Sequence, residues 1–351
     1  MDLLRLLSEP HIYRRRLAVR WLEWQQRGRL RRLTTPRPGK PLPNGASVVF
    51  SGHYPCPGLP LNWYHPASAD RYLRVYVDLL ERGLLNEVQT HVPSALDRRA
   101  MQTIHGDDYL DSLENVLEIA GQLDWPALED LAPEHYRRFL DANLHAAGGT
   151  LLAARLALQG GLAINLSGGF HHAKPRYAEG FCLIADVPIA IRVLQEEELL
   201  QRVLVVDLDV HQGNGTIVCL EDDERVFTFS MHQEEIYPSP KEQGSLDIGL
   251  PSGTDDAEYL GLLRESLLRA LEVARPDLVF LLAGADVLAG DPLASLALTP
   301  QGLRERDAWV AGLCRERGLP LVILLAGGYR EDAWRAQAES LAGILSAWRP
   351  L

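Results

Sequence analysis

The spacing of apolar positions changes along this chain, and each spacing predicts an element. Near the N-terminus Tyr13, Leu17, Trp21 and Trp24 recur at i, i+4, i+8 and i+11, one face of a helix. Pro36, Pro38, Pro41 and Pro43 then break the pattern. Ser47–Phe50 reads as a short strand. Tyr72, Val75, Tyr76, Leu79 and Leu80 give helical spacing to the stretch from about 66 to 85. Another helix is predicted over about 134–159, ending at Gly160-Gly161. Beyond it the order strand, loop, helix repeats. Strands are predicted at Leu162–Leu166, Val203–Leu208, Val226–Ser230, Leu278–Ala283 and Leu321–Leu325. Helices are predicted over about 187–200 and 256–274, after Leu298, and after Tyr329. Thr254 or Asp255 is suited to cap the second of these, and Thr299 with Pro300 opens the third.

Strands that are apolar throughout and alternate with helices predict an α/β fold: a single open parallel sheet with helices on both faces. Two segments are expected, a basic helix with a Pro-rich linker over 1–45 and the α/β domain over 46–351. Of 351 residues, 46% are apolar, enough for a sizeable core. No run approaches the roughly 20 apolar residues that span a membrane. No short apolar segment with a small-residue cleavage site opens the chain, so no signal peptide is expected. Cys56, Cys182, Cys219 and Cys314 are scattered, with no C-x-x-C pair, which points to a reducing cytoplasm. Lys40, Lys174 and Lys241 stand against 32 Arg, a bias expected of a GC-rich bacterial genome. Residues 1–40 carry a net +8 and the remainder −20. An acidic body argues against nucleic acid as the main partner. The basic, Trp-bearing helix suits packing on its own domain or a twin subunit, or else contact with an anionic membrane surface.

Candidate chemistry sits where strands end. Asp207, Asp209 and His211 follow the apolar run Val203–Val206, and period-two alternation points them the same way. Burying three such groups is costly unless something compensates them, and a divalent metal would do so. His171-His172, Asp286 and Tyr329 follow three other strands, and ligand crevices of open α/β sheets lie at those carboxyl ends. Asp209, His211 and Asp286 would give three metal ligands with a fourth position open for water. His171 and His172 would between them supply the general base and general acid, Asp207 would orient His171, and Tyr329 would donate to an oxyanion. Together these describe metal-assisted amide hydrolysis.

The motifs Gly168-Gly-Phe-His-His-Ala173, Asp207-Leu-Asp-Val-His-Gln-Gly-Asn-Gly215, Ala283-Gly-Ala-Asp-Val-Leu-Ala-Gly-Asp-Pro292 and Ala326-Gly-Gly-Tyr329 resemble those of the zinc-dependent histone deacetylase family, over about residues 46–348. His65-Pro66 and His105-Gly-Asp-Asp-Tyr-Leu110 are similar to that family's earlier landmarks. The Gln-Gly-Asn-Gly after His211 resembles class IV members most. The resemblance implies the arginase/deacetylase fold with about eight strands, and Zn²⁺, with Fe²⁺ as an alternative, on Asp209, His211 and Asp286. It implies a structural K⁺ near Asp207, Asp209, His211, Ser230 and Met231, and an acyl-lysine channel at Gly180, Phe181 and Tyr237. The substrate it implies is an acyl-lysine protein or peptide, acetylated or carrying a longer acyl chain as class IV members tend to prefer. Polyamine-selective relatives tend to carry an acidic residue where this chain has Leu293, which counts against a small cationic amine such as an acetylpolyamine. An inactive acyl-binding scaffold is disfavoured because every catalytic position is filled. Asn214, where most classes have Asp, cannot supply His172 with a negative charge, so the acid/base balance is expected to differ.

Overall fold

The structure, a computed structural model, describes residues 10–56 and 70–349, without the side chains of 10–17. His65-Pro66, the first residues of the helix predicted from 66, and the side chains of Tyr13 and Leu17 lie outside the described residues. Helix α1 (Pro10–Arg32) is followed by β1 (Ser47–Val49), α2 (Asp70–Glu81) and β2 (Thr90–His91). Short helices α3 (Arg98–Met101), α4 (Asp107–Ser112) and α5 (Val116–Gln122) lead to the long α6 (Pro133–Gly160). Then come β3 (Leu162–Asn165), α7 (Asp186–Glu196), β4 (Val203–Asp207), α8 (Asn214–Leu220), β5 (Val226–Gln233) and β6 (Leu246–Leu250). The chain closes with α9 (Asp256–Ala274), β7 (Leu278–Leu282), α10 (Pro300–Glu316), β8 (Leu321–Leu324) and α11 (Ala333–Ala347).

The eight strands form one parallel sheet in the order β2-β1-β3-β8-β7-β4-β5-β6. The predicted parallel sheet, covered on both faces, is therefore present. Alternation along the strands assigns two cores. Leu204, Val206, Val279, Leu281 and Ile323 face a core with α2, α9, α10 and α11. Val203, Val205, Phe280, Val322 and Leu324 face the other, with α6, α7 and α8. Small Ala153, Ala154 and Ala157 let α6 lie close on that second face. Asp255, not Thr254, caps α9 by accepting from the N–H groups of Ala257 and Glu258, and Thr299 caps α10 through Gly302.

The end of α1 joins the first core through Leu30 and Leu33, and Leu22 packs against it. Arg29 and Arg32 both bond to Glu87, at 2.9–3.0 Å. Trp21 and Trp24 instead face solvent, 58% and 55% exposed, and stack on each other at 4.9 Å. Among the described residues no helix is long and apolar enough to cross a membrane.

Candidate active site

The four groups of polar residues follow β3, β8, β7 and β4, which are consecutive in the sheet order. Their carboxyl ends thus bring His171-His172, Tyr329, Asp286 and Asp207–His211 to one place. Strand β4 ends at Asp207, so Asp209 and His211 lie on the loop beyond it and not on the strand itself. That loop is fixed by its own carboxylates. Asp207 accepts from the Asp209 N–H at 3.2 Å, Asp209 from the His211 N–H at 3.0 Å, and Asp286 from the Val210 N–H at 3.1 Å. Gly327 N–H reaches Asp209 Oδ2 at 2.7 Å. A side chain at Gly327 would put its Cβ 2.0 Å from Asp286 Oδ2, so only glycine admits that approach.

One ligand atom from each of Asp209, His211 and Asp286 lies within 4.8 Å of the others, and all three residues are buried. Burial and the neighbouring Asp209 push the Asp286 carboxyl up to about 7. Burial also disfavours a charge on His211, but the Asp209 carboxylate, 3.2 Å from its Nδ1, and the adjacent Asp286 carboxylate outweigh it and hold the imidazole up at about 10. Asp286 Oδ2 is buried with no hydrogen-bond partner. Two converging carboxylates, one with an unused oxygen, and an imidazole fit a divalent cation, which would stand where His211 otherwise needs a proton. A second grouping, His53, Asp141 and His145, lies apart. There the imidazoles stack at 3.9 Å, and each Nδ1 is engaged by Asp141, at 2.6 Å for His53 and 3.2 Å for His145.

Beside the first set, His171 Nδ1 meets Asp207 Oδ2 at 2.8 Å and His172 Nδ1 meets Asn214 Oδ1 at 2.7 Å. Burial opposes a charge on His171, but Asp207 and Asp209 raise it to about 9. Burial, with His171 and His211 close by, drives His172 well below the ordinary histidine value. Burial, with Asp209 and Asp286 nearby, raises the Tyr329 phenol and keeps it protonated. The Phe181 and His211 rings lie 6.4 and 6.3 Å from the Tyr329 ring. Tyr237, 41% exposed, sits 4.9 Å from the His172 ring. At Gly180, φ is +53° and an added Cβ would strike the His172 ring at 2.3 Å. A cavity of about 100 Å³ is lined by Gly180, Phe181, both histidines and Tyr329, and reaches Trp125 and Phe139. Leu293 is half-buried, and its N–H donates to Asp291. Ser230 pairs in register with Asp207, and Met231 follows it, fully buried.

Several supporting residues escaped the sequence reading. Asp291 accepts from the N–H groups of Tyr329 at 2.9 Å and Arg330 at 3.2 Å, and so fixes the tyrosine's loop. Asp186 holds the His171 loop through the N–H groups of Gly169 and Phe170, at 2.9 and 2.8 Å. Arg71 clamps the carbonyls of Ala326 and Gly327 at 2.5 Å. Arg306, fully buried, donates to the carbonyls of Leu208 and Gly284. Asp291 lies inside a quoted motif and could have been singled out; the others bond to backbone far away in sequence and leave no local pattern.

Comparison with known proteins agrees with this geometry. The histone deacetylase domain model matches residues 65–345. The chain is 40% identical over 288 residues to an uncharacterized protein of Picosynechococcus sp., covering 82% of this chain and 93% of that one. It is 34% identical to histone deacetylase 2 of Arabidopsis thaliana, over 85% of this chain and 78% of that protein. The solved HDA15 HD domain superposes with a TM-score of 0.71 at 23% identity, covering 86% of this chain and 91% of that one, and so shares the fold. The chain therefore belongs to the histone deacetylase family.

Proposed function

We propose that this chain is a metal-dependent amidohydrolase that removes acyl groups from lysine side chains of proteins or peptides, with residues 46–351 as its catalytic unit. The observation that carries the reading is the convergence of two differently partnered histidines, His171 on Asp207 and His172 on Asn214, beside the Asp209/His211/Asp286 set. Zn²⁺, or Fe²⁺ in its place, held by those three residues would supply Lewis acidity and acidify a water molecule. His172, kept neutral by burial and by its charged neighbours, takes a proton from the attacking water. His171, held protonated by Asp207 and Asp209, gives one to the departing amine. Tyr329 donates its phenol proton in a hydrogen bond to the oxyanion. Asp207, Asp209, His211, Ser230 and Met231 would hold K⁺ behind the site as a structural ion. The aromatic walls Phe181 and Tyr237 suit the lysine methylenes, and the apolar Leu293 offers a second ammonium no partner, which favours acyl-lysine over an acylated polyamine. The cavity's reach to Trp125 and Phe139 supports acyl chains longer than acetyl, as the class IV-like Asn214 suggests. Steady-state turnover of a fluorogenic acyl-lysine peptide tests the proposal. Activity is expected in the zinc-loaded protein, with Tyr329→Phe losing about 100- to 1,000-fold in kcat. Equal turnover by wild type and Tyr329→Phe would overturn the assigned oxyanion donor.

A further inference from the structure

Asn214 leaves a question open. An amide can present either its oxygen or its nitrogen to His172, and the two orientations impose opposite tautomers. The side chain on the far side of the amide decides between them. Asn214 Nδ2 donates to Glu179 Oε1 at 2.9 Å. A carboxylate can only accept, so the amide nitrogen must face Glu179 and its oxygen must face His172. His172 Nδ1, 2.7 Å from that oxygen, must then carry the hydrogen, which leaves Nε2 as the free lone pair.

Glu179 is itself held on both sides. Tyr237 OH donates to the same Oε1 at 2.6 Å, and Lys174 Nζ lies 3.2 Å from Oε2. Lys174 has only hydrogens to offer, so Oε2 must remain an acceptor. We propose that Glu179 is a positioning residue: through the amide of Asn214 it fixes His172 in the Nδ1–H tautomer, and it ties that tautomer to the rim residue Tyr237. The negative charge that Asn214 lacks is thus supplied one residue further out. His171 has a carboxylate directly on Nδ1, and His172 has one relayed by an amide. The consequence for turnover rests on the deacylase reading; the tautomer does not.

The telling substitution is Glu179→Gln, which keeps shape and volume. Lys174 draws the new amide's oxygen toward itself, so its NH₂ faces Asn214. The Asn214 amide then turns over, and His172 is pushed to Nε2–H. Adding Asn214→Asp puts an acceptor-only group on His172 again, with the Glu179→Gln amide now donating to it. The first readout is the imidazole ¹⁵N resonances of His172 in the zinc-loaded protein, which distinguish the tautomers. Nδ1–H is expected in wild type, Nε2–H in Glu179→Gln, and Nδ1–H again in the double variant. The second readout is kinetic. Glu179→Gln is expected to lose about 10- to 100-fold in kcat with little change in KM, and the double variant to recover most of it. An unchanged His172 tautomer in Glu179→Gln overturns the proposal whatever the activity. A tautomer change in a protein that turns over no acyl-lysine supports the proposal and removes the deacylase reading instead. A kcat loss that Asn214→Asp does not restore, with the tautomer unmoved, assigns Glu179 a packing role only.

Discussion

Two carboxylates with no part in the proposed chemistry, Asp186 on the His171 loop and Asp291 on the Tyr329 loop, decide where its atoms sit. Asp291 accepts from the backbone of Tyr329 and Arg330, so Asp291→Ala is expected to free the tyrosine's loop. The predicted effect is a loss of about 10- to 100-fold in kcat with KM nearly constant. In a Tyr329→Phe background the same change is expected to cost little more, because both act on one hydroxyl. Additive losses in that double variant would contradict the assignment. At this scale the sequence was legible wherever polar residues interrupt an apolar strand end: Asp207, Asp209, His211, Asp286, His171, His172 and Tyr329 all announce themselves that way and are brought together. Asp186, Arg71 and Arg306 do not. Their partners are backbone groups brought near by the fold, and nothing in the local sequence marks them.

Elements were legible in proportion to how fully they are buried. Strands β4, β7 and β8 are apolar on both faces and were read to within a residue or two. Strand β2 has two residues, too few for any period, and the half-exposed edge strand β6 has an Asp and a Gly inside it. Both escaped the sequence reading. The short α3, α4 and α5 carry less than two turns of pattern each. Leu281, fully buried on β7, is expected to cost about 2–5 kcal/mol on substitution by Ala, measured by denaturant unfolding. A change below about 1 kcal/mol would mean that the first core is looser than its burial implies.

The junction of α1 with the domain gives a pH prediction. Hydrogen bonds from Arg32, and then from Arg29, outweigh partial burial and lower the Glu87 carboxyl from 4.5 to about 2. A carboxyl depressed on folding contributes stability above its unfolded value and loses it as pH falls through the folded one. The contribution should be complete above about pH 4.5 and fade toward pH 2. The pairs are partly exposed, so its size is modest, about 0.2–1 kcal/mol. Glu87→Gln should therefore lower stability slightly at pH 7, and its difference from wild type should vanish near pH 2. A difference that grows on acidification would contradict the assigned pairing.

At the scale of the whole molecule, an acidic α/β body of net −20 over residues 41–351 carries a basic arm of net +8 over residues 1–40. The arm's final turns are part of the core, through Leu30 and Leu33, while its tryptophans Trp21 and Trp24 stay exposed. The sequence reading foresaw the arm's helix but not the pairing of Arg29 and Arg32 with Glu87. It did not foresee that the two tryptophans would stack on each other and leave the packing to Leu22, Leu30 and Leu33, because apolar spacing alone does not say which residues of a stripe meet a neighbour. The proposed activity belongs to the body, whose crevice at the ends of β3, β8, β7 and β4 would hydrolyse acyl-lysine with a bound metal. The most direct measurement is kcat/KM against one peptide carrying acetyl-, decanoyl- or myristoyl-lysine, before and after metal removal by a chelator and again after zinc is restored. The account predicts turnover that disappears with the metal, returns with zinc, and favours the longer chains. No turnover on any chain, with zinc bound at one ion per protein, would contradict it.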